Sequence, residues 1–157
     1  MAQIDELKDV VKKLRSEDGC PWDKVQTHES LKPELIEEAS EVLSGINVYL
    51  ETGNGDSMKE ELGDLLLQIV FHASLAEDEG LFTFEDVAET VKNKMIERHP
   101  HVFGEVKVDG VGEVLTNWEE IKKSQKKGKE WMDAGLPKAF EEAKELIEKA
   151  KERKGFK

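Results

Sequence analysis

Apolar residues recur at intervals of three and four positions along most of the chain, a spacing typical of amphipathic α-helices. Near the N-terminus this spacing predicts a helix over residues 3–17. The later predicted helices run from Ser30 or Lys32 to about Leu50, from Ser57 to Asp78 or Glu79, from Thr83 to near Arg98, over about ten residues from Thr116, and from Leu136 to Arg153. The pattern therefore predicts an all-α protein.

Capping signals give the expected ends of these helices. Ser57 followed by Glu60, and Thr116 followed by Glu119, are capping-box patterns, so each pair is expected to open a helix. Gly80 follows the third predicted helix and is expected to end it, because glycine readily adopts the left-handed conformation found after helices. These signals predict where the backbone turns.

Two segments do not fit a helical pattern. The stretch VFGEVKV, residues 102–108, is predicted to be extended. The glycine-containing stretch at 126–137 is predicted to be a flexible joint. We therefore expect one helical domain over residues 1–125, with residues 126–157 forming a linker and a C-terminal helix.

Composition narrows the classes of function. The chain has 157 residues, of which 38% are apolar and 37% charged, and its formal net charge is −12. That charge argues against broad nucleic-acid binding, which needs a basic surface. No apolar run approaches the roughly 20 residues of a membrane span. Cys20 is the only cysteine and no signal-peptide pattern is present, so we expect a cytoplasmic protein without an internal disulfide.

The second predicted helix carries a stripe of acidic residues. At 100° per residue, Glu34, Glu37, Glu38 and Glu41 cover about a third of its circumference. A solvated face is the ordinary explanation for such a stripe. The next helix changes that interpretation.

The third predicted helix is apolar except for a narrow polar stripe of Glu61, Asp64, Gln68 and His72. Its apolar content predicts burial on most sides. A buried ionised carboxylate needs a partner, and no Lys or Arg occurs between Lys59 and Lys92. A metal ion is therefore the expected partner of Asp64.

A short turn, TGNGD, joins the two acidic helices and predicts an antiparallel hairpin that places Glu38 and Glu41 opposite Glu61 and Asp64. An all-oxygen ligand set favours Mg²⁺ or Mn²⁺ over zinc or copper. A ferritin-like di-iron site is excluded because no histidine follows a glutamate by three residues, and an EF-hand because its loop pattern is missing. Magnesium keeps open positions for phosphates, which indicates a phosphorylated ligand.

The acidic motifs resemble those of the MazG nucleoside triphosphate pyrophosphohydrolases. EExxE occurs at residues 37–41 and, after 19 intervening residues, ExxD occurs at 61–64. Further similar segments are GCPWDKVQTHESL at 19–31, ELGDLLLQIVFHA at 61–73, ERHPHVFG at 97–104 and NWEEIK at 117–122. The resemblance extends over residues 3 to about 125.

The resemblance implies an all-α bundle related to the dimeric dUTPases and a homodimer. It also implies Mg²⁺-dependent hydrolysis of nucleoside triphosphates between the α and β phosphates, which yields a monophosphate and pyrophosphate. By position, the metal ligands would be Glu38, Glu41, Glu61 and Asp64. Glu37 would orient or deprotonate the attacking water, or have a structural role.

Substrate-binding residues are expected on the later helices. Lys94 and Arg98 lie four residues apart on one helical face, and the resemblance implies that they contact the triphosphate. Trp118 and Lys122 form a similar pair that offers an aromatic face for the base and a cation for phosphate. Trp22 is a second stacking residue or a loop anchor.

Two other interpretations remain open. The chain could be a related dUTPase-like or phosphoribosyl-ATP pyrophosphohydrolase, or a metal-stabilised helical dimer that only binds a nucleotide or a protein.

Residues 136–156 resemble the segment that leads into a second homologous domain in longer members of the family. The preferred base depends on the shape of the pocket.

Overall fold

The computed structural model describes residues 1–156, and within them the regular structure is helical. This agrees with the all-α prediction. The elements are α1 (Gln3–Arg15), α2 (Pro21–Lys24), α3 (Lys32–Thr52), α4 (Asp56–Asp78), α5 (Phe84–Arg98), α6 (Pro100–Phe103), α7 (Val111–Lys126), a short 3-10 helix (Glu130–Asp133) and α8 (Leu136–Lys154).

The helices group into two compact units. The first contains residues 1–84 together with residues 141–156, and the second contains Glu85–Phe140. The first unit has a core made by α1, the segment before α3, and the C-terminal half of α4; its buried members are Val11, Leu31, Val70, Phe71 and Leu75. The segment from Glu141 onward, which includes most of α8, therefore belongs to the same unit as α3 and α4.

An antiparallel hairpin of α3 and α4 forms the centre of the first unit, as predicted. Gly53 ends α3 with a φ of 74°, and its N–H donates to the carbonyl of Tyr49 at 2.8 Å. The Thr52 hydroxyl accepts from the N–H of Asn54 at 3.1 Å, and the Asn54 side chain accepts from the N–H of Asp56 at 2.8 Å. These local hydrogen bonds turn the chain back on itself.

At Gly45 the backbone of α4 leaves no room for a side chain on α3. A Cβ built on Gly45 would lie 2.8 Å from the Cα and 3.0 Å from the backbone nitrogen of Met58. Both atoms belong to the backbone of α4, so they cannot move aside like the end of a side chain. The absence of a side chain at Gly45 therefore permits this helix spacing.

The two halves of α4 differ in burial. Its C-terminal half is buried over Val70, Phe71 and the segment 73–76. Nearer its N-terminus, Leu62, Leu66 and Ile69 are 48%, 37% and 40% exposed in the single chain. The prediction of burial on most sides is therefore wrong for the N-terminal half of α4, because no described element covers that apolar stripe.

The predicted capping boxes are wrong, although the helices exist. α4 begins at Asp56 after Gly55, before the predicted Ser57 cap, and its N-cap makes no side-chain hydrogen bond. Thr116 lies inside α7, where its hydroxyl donates to the carbonyl of Gly112 at 3.0 Å. A threonine whose hydroxyl bonds to a carbonyl within its own helix does not cap that helix. α7 begins at Val111, before Thr116, and is 16 residues long rather than about ten.

Other local predictions had mixed outcomes. Gly80 has a φ of 71°, and the N–H of Leu81 donates to the carbonyl of Ala76 at 2.9 Å, which confirms the expected end of α4. The extended segment predicted at 102–108 begins inside α6, and no strand occurs there. Pro100 at the first turn of α6 favours that helix. Across residues 1–156, no helix is long and apolar enough to cross a membrane.

We expect Gly45→Ala to destabilise the protein by about 1–3 kcal/mol, because the new methyl group would force α3 and α4 apart. The matched control is Gly63→Ala on α4, where an added Cβ meets nothing within 4 Å. Alanine is the better helix former, so the control should be neutral or stabilising by up to about 1 kcal/mol. Urea unfolding measures both, and equal stability of Gly45→Ala and the wild type would contradict the packing argument.

Candidate functional site

Three carboxylates meet across the α3–α4 hairpin. Glu38 comes from α3, and Glu61 and Asp64 come from α4; one oxygen of each lies within 4.8 Å of the others. Glu61 and Asp64 share a face because they are three residues apart on one helix. The predicted convergence of acidic residues from the two helices is therefore present for these three groups.

Burial and mutual repulsion act strongly on Glu38. Burial of the carboxyl raises the pKa of Glu38 to about 7, assisted by a hydrogen bond with Glu41 and by the negative charges of Glu41, Asp64 and Glu34. Burial also raises the pKa of Glu61, as do the charges of Glu41 and Asp64. Ionising the cluster is therefore unfavourable unless a cation joins it.

The three residues fit a divalent metal ion by two observations. The Oε2 atom of Glu38 is buried and lacks a hydrogen-bond partner among the described residues. Neither Glu38, Glu61 nor Asp64 forms an ion pair with a side chain in residues 1–156. An orphaned oxygen among unpaired carboxylates has the chemistry of a site for a hard cation.

Unlike the three clustered carboxylates, Glu41 and Glu37 form ion pairs with cations of α8. The Lys154 Nζ lies 2.6 Å from Oε1 of Glu41 and 3.3 Å from Oε1 of Glu37. The Arg153 guanidinium pairs with Oε2 of Glu37. The hydrogen bond from Lys154 lowers the pKa of Glu41. The fourth predicted metal ligand and the predicted water-activating residue are thus paired with cations in this structure.

Arg153 and Lys154 are not among the residues predicted for the site. They lie 116 and 113 positions away from the glutamates that they contact. The absence of cations near Asp64 in sequence suggested that none was available, but α8 brings two to the neighbouring carboxylates. The Lys/Glu-rich pattern of α8 gave no signal of this contact, since solvated helices have the same pattern.

A cavity of about 390 Å³ adjoins these ion pairs. Glu41 and Glu61 line it on one side, and Lys151 and Lys154 of α8 line it on the other. Ser40 and Ser44 add hydroxyl groups from α3, and Phe156 adds an exposed aromatic ring. The cavity therefore opens beside Glu61 of the acidic cluster.

The polar stripe of α4 divides into two environments. Glu61 and Asp64 join the acidic cluster, whereas His72 pairs with His28 through their Nδ1 atoms at 2.8 Å. Burial and the neighbouring His28 lower the pKa of His72. Gln68 is buried beside the core. The stripe predicted as one feature therefore serves the acidic site only at its N-terminal end.

The predicted phosphate-binding residues belong to the second unit. Lys94 and Arg98 line a cavity of about 610 Å³. Arg98 is only 8% exposed, and its Nε donates to the side-chain oxygen of Gln125 at 3.0 Å. Its guanidinium carbon lies 4.9 Å from the ring centroid of Trp118. Arg98 and Trp118, which were predicted as members of two separate pairs, thus contact each other.

The remaining predicted binding residues are less constrained. Lys122 lies on α7. The hydrogen bond from Lys126 lowers the pKa of Asp133, and the charge of Lys122 adds to that effect. Trp22 lies on α2 in the first unit and is 55% exposed, and its carbonyl accepts from the Gln26 side chain at 2.9 Å. The exposure of Trp22 leaves its ring accessible to a ligand.

Comparison with known proteins gives the same relationship as the acidic motifs. Residues 26–103 match the family model described as the MazG nucleotide pyrophosphohydrolase domain. The chain belongs to the MazG family. The matched segment contains the whole α3–α4 hairpin, so the carboxylate cluster lies within the MazG homology.

Three relatives show the extent of the similarity. The Thermotoga maritima protein named nucleoside triphosphate pyrophosphohydrolase/pyrophosphatase MazG is 53% identical over 80% of this chain and 46% of its own length. The Escherichia coli K12 nucleoside triphosphate pyrophosphohydrolase is 42% identical over 80% of this chain and 47% of its own length. Bacillus subtilis YabN, described as uncharacterized, is 50% identical over 76% of this chain and 24% of its own. The MazG homology therefore spans less than half of each of these relatives.

The raised pKa of Glu38 predicts a pH dependence of stability in the metal-free protein. The folded pKa of about 7 exceeds the ordinary value of 4.5, so the folded state holds a proton that the unfolded state releases. The free energy of unfolding should therefore fall as pH rises between these two values. Glu38→Gln removes this titration and should flatten the fall, which thermal melting across that pH range measures.

The matched control for the pH experiment is Glu51→Gln, which changes an exposed carboxyl group of α3 outside the cluster. It should keep the wild-type slope. Added Mg²⁺ should also flatten the wild-type curve, because a bound cation favours the ionised carboxylates. An unchanged slope in Glu38→Gln would show that Glu38 is not the group that titrates.

Proposed function

We propose that the chain is a Mg²⁺-dependent pyrophosphohydrolase that cleaves nucleoside triphosphates between the α and β phosphates to give a nucleoside monophosphate and pyrophosphate. The observation that carries this proposal is the meeting of Glu38, Glu61 and Asp64 inside a MazG-homologous hairpin. The names of the Thermotoga and Escherichia coli relatives support it.

The proposed metal ligands are Glu38, Glu61 and Asp64, together with Glu41 once it is free of Lys154. Their oxygen donors suit Mg²⁺, and Mn²⁺ by the same chemistry. When bound, such an ion polarises phosphate oxygens and lowers the pKa of coordinated water. The burial of Glu38 supports a ligand role, because a buried carboxylate gains most from a cation.

The other proposed residues would contact the attacking water or the phosphates of the substrate. Glu37 would accept a proton from the attacking water. The water oxygen would then bond to the α phosphorus as the bond from that phosphorus to the bridging oxygen breaks, and pyrophosphate would leave. Lys94, Arg98 and Lys122 would bind the phosphates, since phosphoryl transfer needs cations near the developing charge.

The base-binding roles proposed for Trp118 and Trp22 differ in their support. Trp118 already packs on Arg98, so one side of its ring is in use, and it would position that guanidinium as well as contact a base. Trp22 is exposed and has an accessible ring. Both belong to segments that resemble the family's motifs.

We further propose a homodimer. Leu62, Leu66 and Ile69 form an apolar stripe along one face of α4, because they are spaced by four and three residues. Leu43 on α3 is 64% exposed. A second copy of the chain would cover such surfaces, whereas a monomer would leave them in water.

The remaining assignments complete the proposal. We place the enzyme in the cytoplasm, consistent with a single, unpaired cysteine. Its net charge of −12 supports a nucleotide substrate held by local cations rather than a nucleic acid. The division into a MazG-like domain at 1–125 and a C-terminal segment at 126–157 stays a prediction.

Product analysis tests the reaction. The purified chain, incubated with a panel of NTPs and dNTPs, should give monophosphate and pyrophosphate with Mg²⁺ and nothing with chelator. Glu61→Gln and Asp64→Asn should each lower turnover by about 100-fold or more, because each removes a charged oxygen ligand. Glu60→Gln, which changes the residue beside Glu61 but outside the cluster, should retain activity.

Other products would lead to different conclusions. Diphosphate and orthophosphate would show that a different bond is cleaved. No turnover of any nucleotide, with metal binding intact, would favour a metal-stabilised module that binds a nucleotide or a protein. Exclusive hydrolysis of dUTP or of phosphoribosyl-ATP would assign the chain to one of those related activities.

Sedimentation tests the dimer. The wild type at micromolar concentration should sediment as a dimer, and Leu66→Asp should shift it to monomer because a buried charge at the stripe is costly. Val10→Asp is the control, since Val10 is likewise exposed, at 53%, but lies on α1 and not on α4. A stable wild-type monomer would remove the dimer from the proposal.

A further inference from the structure

The C-terminal turn of α8 lies against the acidic motif of α3. Lys154 contacts both Glu37 and Glu41, and Arg153 contacts Glu37. Glu61 of α4 also lies within the electrostatic influence of Lys154. Two cations of the chain itself therefore neutralise carboxylates next to Glu38 and Asp64.

These contacts divide the acidic residues into two sets. Glu38, Glu61 and Asp64 have no ion-pair partner among the described side chains, whereas Glu37 and Glu41 have three contacts with α8. A divalent cation that used Glu41 would approach the same carboxylate to which the Lys154 ammonium donates at 2.6 Å. Two cations at one carboxylate repel each other, so these two states compete.

We propose that Arg153 and Lys154 act as internal counter-ions that hold the acidic site in a metal-free, inhibited state and that a divalent cation displaces them. This inference rests on the proposed metal site and describes its regulation. The end of α8 thereby sets the metal concentration at which the complete ligand set becomes available.

The contacts of α8 are of the kind that can open reversibly. The Arg153 side chain is 56% exposed and that of Lys154 is 36% exposed, whereas that of Glu37 is only 14% exposed. The pair of Lys154 with Glu41, which is 37% exposed, is therefore the more solvated one, and solvated ion pairs contribute little to stability. The cavity of about 390 Å³ lies between α3 and this end of α8, so tight packing does not fill the space beneath it. Phe156, at the edge of the cavity, is 65% exposed.

Competition between the metal ion and the end of α8 would change the binding of both to the acidic site. If α8 weakens metal binding by some factor, metal binding must weaken the docking of α8 by the same factor. Removal of the Lys154 charge should therefore tighten metal binding, and added metal should loosen the last turn of α8. The two effects can be measured without substrate or turnover.

The first experiment measures binding of Mn²⁺ alone to the full chain by electron paramagnetic resonance. Lys154→Ala should bind Mn²⁺ about three- to tenfold more tightly than the wild type, since about one or two exposed ion pairs are lost. Lys151→Ala is the matched control: Lys151 lines the same cavity, but its ammonium pairs with Glu148 of α8 at 3.0 Å. Its affinity should change by less than about twofold.

The control separates direct competition from general electrostatics. Equal tightening in Lys151→Ala and Lys154→Ala would overturn the proposal, because any nearby charge would then have the same effect. Unchanged affinity in Lys154→Ala would also overturn it. Circular dichroism checks the fold, and Lys154→Met, which keeps most of the aliphatic stem, replaces Lys154→Ala if the alanine variant does not fold.

The second experiment follows amide hydrogen exchange in residues 150–156. Added Mn²⁺ should accelerate exchange there in the wild type, and slower or unchanged exchange would count against displacement. The two proposals fail differently. Absence of Mn²⁺ binding in both the wild type and Lys154→Ala would remove the metal site itself, whereas equal binding by both would remove only the inhibitory role of α8.

Discussion

Repulsion between carboxylates is the constraint around which the first unit is organised. The α3–α4 hairpin brings Glu38, Glu61 and Asp64 together, with Glu41 beside Glu38. Burial makes this repulsion more costly, because charge is poorly screened away from water. The protein limits that cost by protonation of Glu38 and by cations from α8, and both arrangements leave room for a metal ion to replace them.

The hairpin tolerates this repulsion because close packing stabilises it on both sides of the acidic cluster. Val70, Phe71 and Leu75 on α4 pack with Val11 and Leu31, well along the helix from Glu61. Gly45 brings the two helices close at the opposite end of the hairpin, near the turn. The acidic cluster therefore lies between two regions of close packing, and its geometry does not depend on attraction within the cluster.

Cationic side chains have specific surroundings in each of the two units. In the first unit Arg153 and Lys154 face the carboxylates, whereas in the second Lys94 and Arg98 line a cavity. Arg98 is held in place by Trp118 and Gln125, so its donors are oriented before any ligand arrives. A chain with a net charge of −12 thus holds these cations at particular places, and Lys94 and Arg98 are the ones that the proposed binding of a small polyanion would use.

The sequence by itself determined the helices, the hairpin and three of the converging carboxylates. These features follow from local periodicity and from a turn of a few residues, since positions three or four apart on a helix share a face. Helix ends were predicted less well, because Thr116 bonds within its own helix and Gly55 precedes α4 without a side-chain cap. Only the tertiary structure decided that Lys154 reaches Glu41, that Arg98 stacks on Trp118, and that Leu62 and Leu66 stay exposed. Each of these depends on which distant segments pack together, and no local spacing in the chain specifies that.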